Sequence, residues 1–248
     1  MKLRLIVATS FWTAIGYAQS FPSPIPGIRF TQGPQGEVNI PLQIVVLLTA
    51  LVLLPAVVMC LTPFLRLVVV FHFLRQALGT QTTPSNQVLI GMSLFLTMII
   101  MRPVGQEVYD KAYIPYQRGE LNLSQAGDAL AGPLKTFLLR YTREKDLQLF
   151  LEMSGSASPR NAGELPLIIV APAYVISELQ TSFQIGAVLF LPFLVIDLLV
   201  ASITLSIGMV QLPPVMVSAP FKILLFVLAD GWNLVIGSLM KGLLGVTG

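Results

Sequence analysis

The stretch that decides the fold is AVLFLPFLVIDLLVASITLSIGMV (Ala187–Val210), followed by QLPP (Gln211–Pro214) and VMVSAPFKILLFVL (Val215–Leu228). Both flanking segments are apolar almost throughout, and a Pro-Pro pair cannot continue a helix beyond its first turn. The pattern therefore predicts two helices joined by a turn near residues 211–214, which is a helical hairpin.

Three charged residues lie within this apolar sequence or at its end: Asp197, Lys222 and Asp230. An ionised side chain is costly in apolar surroundings, so such groups usually face a protein interior or water and have a partner. Asp197 lies 14 residues before Gln211 and Lys222 lies 11 residues after it. The difference of three residues corresponds to ~5 Å along a helix, so the two side chains can pair across the hairpin. Lys222 and Asp230 are eight residues apart and are expected on one helical face. Buried charge pairing among the three is predicted, and a proton relay is the alternative.

The whole chain shares this apolar character. Of its 248 residues, 54% are hydrophobic and 11% are charged, whereas soluble domains have roughly 25% charged residues. The 15 basic and 12 acidic residues give a net charge of +3, which is too weak and too scattered for a nucleic-acid surface. Composition and the long apolar runs therefore predict an all-α membrane protein without a nucleic-acid partner.

The chain before the hairpin divides into segments of different composition. The apolar block Ile40–Leu78 is nearly twice as long as one membrane span, so it must bend, re-enter or form two helices. A second apolar block, Val88–Met101, ends where a charged region begins, and that region holds 16 of the chain's 27 charges. The predicted segments are a first hydrophobic helical region (40–101), a polar, mainly helical periplasmic module (102–165) and a second hydrophobic helical region (166–248).

The amino terminus has the pattern of a targeting segment. Two basic residues precede an apolar stretch, and Gly16 and Ala18 give the small-x-small pattern at which signal peptidase cleaves. Residues 1–18 are therefore predicted to be a cleaved signal peptide, with an uncleaved anchor as the alternative. Residues 19–39 are rich in proline and glycine and are predicted to form an extended periplasmic arm.

The polar module contains one clear helical pattern. Pro133 follows Gly132 and suits the first position of a helix. Apolar side chains then recur every three or four residues, at Leu134, Phe137, Leu138 and Tyr141. Such an amphipathic stripe packs either on its own domain or on another subunit, and the sequence leaves both open.

No cluster of residues in the sequence points to catalysis, to a cofactor or to a metal. Cys60 is the only cysteine and His72 the only histidine, so a zinc or iron site would need a cluster of carboxylates that the sequence does not show. A Gly-rich phosphate loop of the GxxxxGK type does not occur either. No enzymatic activity is predicted.

Four blocks of the sequence, in the same order, match one family of membrane proteins. They are LLPAVVMCLTPFLRLVVVFHFLRQALGTQTTPSNQVLIGMSLFLT (Leu53–Thr97), LRYTREKDLQLF (Leu139–Phe150), PAYVISELQTSFQIG (Pro172–Gly186) and APFKILLFVLADGWNLVIGSL (Ala219–Leu239). With these blocks the chain resembles the FliP/SctR family of type III secretion export-gate proteins, from about Leu53 to Leu239.

The resemblance implies a role without chemistry of its own. It implies a homo-oligomer, pentameric in the family, that winds with FliQ and FliR into a helical multi-subunit export gate, near membrane proteins such as FlhA and FlhB. The gate would form the entrance pore for unfolded flagellar proteins, within the basal body at the bacterial inner membrane and periplasmic level. In the family the hairpins are lifted out of the bilayer plane.

The resemblance also implies a gasket that closes the pore. Family members carry a methionine-rich loop before the Pro-Pro turn, and the matching positions here are Met209, Val210 and Gln211. Only the first is a methionine, the flexible side chain that adapts to irregular surfaces.

Three further positions match residues that line the pore or contact other subunits in the family. They are Phe137, Phe150 and Glu178, and the resemblance implies a basic residue of FliR as the partner of Glu178. The alternative function is an ion or solute transporter that uses the charged residues of the hairpin.

Overall fold

The computed structural model describes residues 40–155, 162–208 and 213–245, and the regular elements in these ranges are all helical. The all-α prediction is confirmed. The helices are α1 (Ile40–Cys60), α2 (Phe64–Ala77), α3 (Asn86–Val108), α4 (Ile114–Gln117), α5 (Leu123–Tyr141), α6 (Glu144–Ser154), α7 (Leu167–Ser206), α8 (Pro214–Leu228) and α9 (Gly231–Leu244). The predicted signal peptide (1–18) and arm (19–39) lie outside the described residues.

The chain separates into two units, one ending at Leu54 and one beginning at Pro55. Of the first unit, the structure describes the apolar beginning of α1. The second unit contains the remaining helices and all the packing described below. The segment boundaries at 101/102 and 165/166 stay predictions.

The long apolar block at the start of the described chain forms two helices, α1 and α2. The helix stops at Cys60 and a new one starts at Phe64, directly after Pro63. The end of α2 is marked by Gly79, whose φ of 74° is a left-handed conformation that glycine adopts without strain. Arg75 in the last turn of α2 donates to Asn86 Oδ1 at 2.6 Å, which connects this helix to the start of α3.

Helix α3 continues beyond the apolar block Val88–Met101. Pro103 lies inside the helix, which runs on through a π-helical turn at Tyr109–Tyr113 into α4. The apolar block and the first charged residues of the polar region therefore share one helical stretch, Asn86–Gln117.

The main helix of the polar region begins ten residues before Pro133. The prediction that this helix starts at Pro133 is therefore wrong. Asn122 Oδ1 accepts from the Gln125 backbone N–H at 2.9 Å, while Gln125 Oε1 accepts from the Asn122 N–H at 3.0 Å. This capping box satisfies two free N–H groups and starts the helix at Leu123. Pro133 lies inside the helix, and both α5 and α6 pack against α7.

The predicted hairpin is present as α7 and α8, which pack together through Asp197 of the first helix and Ser218 and Lys222 of the second. The turn residues 209–212 are outside the described part. Helix α8 ends at Leu228, and Asp230 has a φ of 50° at a bend of 64° before α9. The prediction that Lys222 and Asp230 share one helical face is therefore wrong, because the helix stops between them.

The core lies where α2 crosses α7. Fully buried apolar side chains come from α2 (Leu67, Val70, Phe71), α5 (Leu138) and α7 (Val170, Tyr174). Gly186 of α7 allows the close approach, because a Cβ atom there would lie 2.5 Å from Cδ2 of Phe73.

Two described helical stretches are long and apolar enough to cross a membrane, Asn86–Gln117 and Leu167–Ser206. Two further spans are possible if two helices joined by a sharp bend together form one span. These bent pairs are Ile44–Cys60 with Phe64–Ala77 and Pro214–Leu228 with Gly231–Leu244, and they raise the number of candidate spans to four. These helices associate the protein with a membrane.

The crossing of α2 and α7 gives a first prediction. Gly186→Ala is expected to lower the free energy of unfolding by about 1–3 kcal/mol, because the added methyl group overpacks the contact with Phe73. Gly91→Ala in α3 is the control, since no atom lies within 4 Å of its Cβ position; it should stabilise the helix slightly. Denaturant unfolding in detergent micelles measures both, and equal effects would contradict the proposed close packing at Gly186.

Candidate functional site

A buried ion pair joins α2 to α7. Arg66 Nε donates to Glu178 Oε2 at 2.7 Å, and the second terminal nitrogen of Arg66 donates to Oε1. The two side chains are 9% and 0% exposed. The Arg66 guanidinium also lies over the ring of Tyr141, 5.5 Å from its centroid. This two-pronged geometry satisfies both charges and fixes the position of α2 on α7.

The structure therefore places Glu178 inside the chain, with an internal partner. Its predicted partner was a basic residue on FliR, whereas the carboxylate here is fully buried against Arg66. Arg66 lies 112 residues away in the sequence, and no local pattern pairs it with Glu178. The sequence does indicate that Arg66 needs a partner, because it is a single charge in the apolar stretch TPFLRLVVV.

The two predicted phenylalanines also belong to the core of this chain. Phe137 is 8% exposed, and its ring centroid lies 5.0 Å from that of Tyr141 and 6.4 Å from that of Tyr174. Phe150 is partly buried against the same core. Contacts of Phe137 and Phe150 with a pore or another subunit stay predictions.

A second polar cluster joins α6 to α7. Asp146 Oδ2 accepts from Ser177 Oγ at 2.6 Å and from Arg143 Nε at 2.8 Å, while the backbone N–H of Arg143 donates to Ser177 Oγ at 3.0 Å. Burial by itself raises the pKa of Asp146, but the hydrogen bonds from Ser177 and Arg143 and the Arg143 charge outweigh it. The pKa of Asp146 therefore lies below its ordinary value of 3.8.

The third cluster lies in the hairpin. Lys222 Nζ donates to Asp197 Oδ2 at 2.6 Å and to the backbone carbonyl of Ala77 at 3.1 Å. Ser218 Oγ donates to the other carboxylate oxygen of Asp197. Lys222 is 3% exposed and Asp197 26%. Since Ala77 ends α2, the ammonium group links the hairpin to a carbonyl at the C-terminal end of that helix, where a positive charge is favourable.

Asp230 does not join this cluster. Its Oδ2 accepts from Asn233 Nδ2 at 3.1 Å, at the exposed bend between α8 and α9. The structure thus brings together two of the three charged residues singled out in the sequence. The gasket positions Met209, Val210 and Gln211 lie outside the described residues.

In the three described clusters the charged side chains pair with each other. Among residues 40–155, 162–208 and 213–245, no group of three or more His, Cys, Asp and Glu side chains could hold a metal ion. His72 is exposed, with Nδ1 3.1 Å from a terminal nitrogen of Arg75. Fold and site together define a helical membrane protein in which three clusters of buried or partly buried charged residues hold its own helices together.

Comparison with known proteins gives the family. The model of the FliP family matches residues 47–239. Flagellar biosynthetic protein FliP of Pectobacterium carotovorum subsp. carotovorum is 43% identical over 237 residues, which cover 96% of this chain and 89% of that protein. The protein of the same name from Bacillus subtilis (strain 168) is 43% identical over 212 residues, which cover 86% of this chain and 96% of that protein. A third FliP, from Caulobacter vibrioides, is 48% identical over 199 residues, which cover 80% of this chain and 75% of that protein.

The chain belongs to the FliP family. Family membership makes it a flagellar biosynthetic protein and a component of the flagellar export apparatus. The family resemblance stated from the sequence is confirmed.

The ion pair between α2 and α7 gives a second prediction. Glu178→Ala is expected to lower the free energy of unfolding by about 3–5 kcal/mol, because Arg66 is left buried without a counter-charge. Glu107→Ala is the matched control, since Glu107 pairs with Lys111 on the exposed surface and its loss should cost under about 1 kcal/mol. Urea unfolding in micelles measures both, and similar costs would contradict the assignment.

The Asp146 cluster predicts a pH dependence. Its carboxylate pKa is lower in the folded than in the unfolded chain, so the stabilisation is complete above the ordinary value of 3.8. It is lost as the pH falls below that value and through the folded pKa. The stability difference between wild type and Asp146→Asn should therefore be constant from about pH 5 to 7 and shrink below about pH 4. Thermal melts across this range test it, and a constant difference down to pH 3 would contradict it.

Proposed function

We propose that this chain is a core component of the flagellar type III protein export gate and forms, with FliQ and FliR, the entrance pore for unfolded flagellar subunits. The observation that carries the proposal is the match to the FliP family over residues 47–239. We place the complex in the flagellar basal body, at the bacterial inner membrane and periplasmic level, next to FlhA and FlhB.

The distribution of charge supports a role in assembly. Arg66, Glu178, Asp197 and Lys222 have their partners within the chain, so the apolar outer surfaces of the helices carry few unpaired charges. Along α7, large apolar side chains such as Leu194, Leu198 and Ile203 are at least half exposed. Surfaces of this kind pack on lipid or on other helices, as a homo-oligomer with membrane-protein partners requires.

The organisation of the chain follows from this role. In the proposal, residues 1–18 are a signal peptide that targets this chain to the membrane and is then removed. Residues 19–39 form a periplasmic arm, and residues 102–165 face the periplasm. Phe137, Phe150 and Glu178 line the pore or contact other subunits. The Glu178 carboxylate is fully buried against Arg66 in the single chain, so its share in these contacts is to hold α2 and α7 in position beneath them.

The contacts do not favour the alternative of an ion or solute transporter. Asp197 and Lys222 neutralise each other in the hairpin, whereas Asp230 bonds to Asn233 at a separate bend. A relay of protons or ions needs groups that can exchange them in series, and these three residues do not form such a series.

Co-expression with FliQ and FliR tests the proposal. We expect a stable mixed complex that contains several copies of this chain, measured by native mass spectrometry after purification in detergent. A chain that purifies alone as a monomer or dimer and moves protons in vesicles would overturn the gate and support the transporter.

The gasket gives a further prediction. Replacing Met209, Val210 and Gln211 together with glycine should make cells leaky to small ions, because the side chains that close the pore, among them the flexible thioether of Met209, are removed. Gln81→Gly with Thr82→Gly, in the exposed turn between α2 and α3, is the control and should leave conductance unchanged. Ion conductance of cells that express the complex measures the leak. An unchanged leak in the triple variant would place the seal elsewhere.

A further inference from the structure

Tyr174 has a buried hydroxyl group without a hydrogen-bond partner. The residue lies on α7 with 0% exposure, and its hydroxyl is the one buried side-chain polar atom in the described part of the chain that lacks a partner. Other hydroxyls on the same helix are bonded: Ser177 donates to the Asp146 carboxylate, and Ser182 donates to the carbonyl four residues earlier. Because buried polar groups are nearly always bonded in native proteins, an unbonded one requires an explanation.

The neighbouring tyrosine shows what a satisfied hydroxyl looks like in the same core. Tyr141 of α5 donates to the backbone carbonyl of Leu243 in α9. The rings of Tyr141 and Tyr174 both pack against Phe137, with centroids 5.0 Å and 6.4 Å away from it. The core therefore contains two neighbouring tyrosines, of which one has a bonded hydroxyl and one does not.

An acceptor with spare capacity lies one helical turn away. Glu178 follows Tyr174 by four residues, which places both on one face of α7. Each carboxylate oxygen accepts one hydrogen bond from Arg66, and a carboxylate can accept about four in all. A turn of the Tyr174 ring towards Glu178 would complete the bond, provided that the rings of α5 packed against it shift.

Helix α5 and the adjoining α6 present apolar side chains on their outer surface. On α5 these are Leu123, 76% exposed, and Leu130, 46% exposed, and on α6 Met153 is 73% exposed. A neighbouring subunit that packs on these side chains can favour one position of α5 over another, because binding selects the state with which it makes better contacts.

We propose that the core between α5 and α7 has a second arrangement, selected when subunits assemble, in which the Tyr174 hydroxyl donates a hydrogen bond to the Glu178 carboxylate. The inference rests on the proposed function, since assembly of the gate is what selects this arrangement. It makes Tyr174 a positioning residue that is unsatisfied in the single chain and satisfied in the complex.

The test measures two properties of Tyr174→Phe in the full chain. Purified without partners, the variant should melt about 2–4 °C higher than wild type, because it removes a buried hydroxyl that has no partner. Co-expressed with FliQ and FliR, it should give on the order of tenfold less mixed complex, because the hydrogen bond to a charged group is missing in the assembled state. A purely structural residue would not move these two readouts in opposite directions.

Tyr141→Phe is the matched control. It removes a hydroxyl that is bonded in the single chain, so it should melt lower than wild type. A Tyr174→Phe chain that melts at the same temperature as wild type or lower would overturn the inference, because the hydroxyl would then be bonded already. A higher melting temperature with normal complex yield would overturn it too. If wild type itself forms no mixed complex, the proposed function fails, and the melting temperatures still report whether Tyr174 is bonded in the single chain.

Discussion

The ion pair between Arg66 and Glu178 is the interaction on which the rest of the structure depends. It lies at the crossing of α2 and α7, where both charges are removed from water. Desolvation of two charges is costly, and the attraction offsets it only when the geometry is good and the hydrogen bonds are made. Both carboxylate oxygens are bonded to the guanidinium, so the pair holds α2 in one position on α7. Gly186 permits the same close contact further along α7.

Helix α7 connects the other helices through a series of such contacts. Ser177 bonds Asp146 and thereby joins α6, Glu178 joins α2, and Asp197 joins α8 through Lys222. The ammonium group of Lys222 reaches back to the end of α2 at Ala77. Charges are thus used inside the chain to fix helix positions, and apolar side chains are left on the outside. A subunit of a membrane-associated assembly needs this division, because its neighbours are lipids or other helices.

Much of the fold could be predicted from local patterns. The hairpin follows from two apolar segments on either side of Pro213-Pro214, and the break of the first apolar block follows from its length and from Pro63. Local patterns gave the wrong helix boundary at two places. Pro133 suits a helix start, but the capping box at Asn122 starts the helix earlier and proline is accommodated inside it. Asp230 was expected on the helix of Lys222, but the chain turns at Ala229-Asp230 before the next helix begins.

The sequence by itself determined that the protein is helical, apolar and a member of the FliP family, because these properties depend on composition, spacing and blocks of matching residues. It also indicated that Asp197 and Lys222 could meet, since a short turn fixes which residues of a hairpin lie opposite each other. Only the tertiary structure decided that Glu178 pairs with Arg66, which is 112 residues away in the sequence, and that Tyr174 is buried without a partner. Contacts between distant segments depend on how helices cross, and no local pattern encodes a crossing.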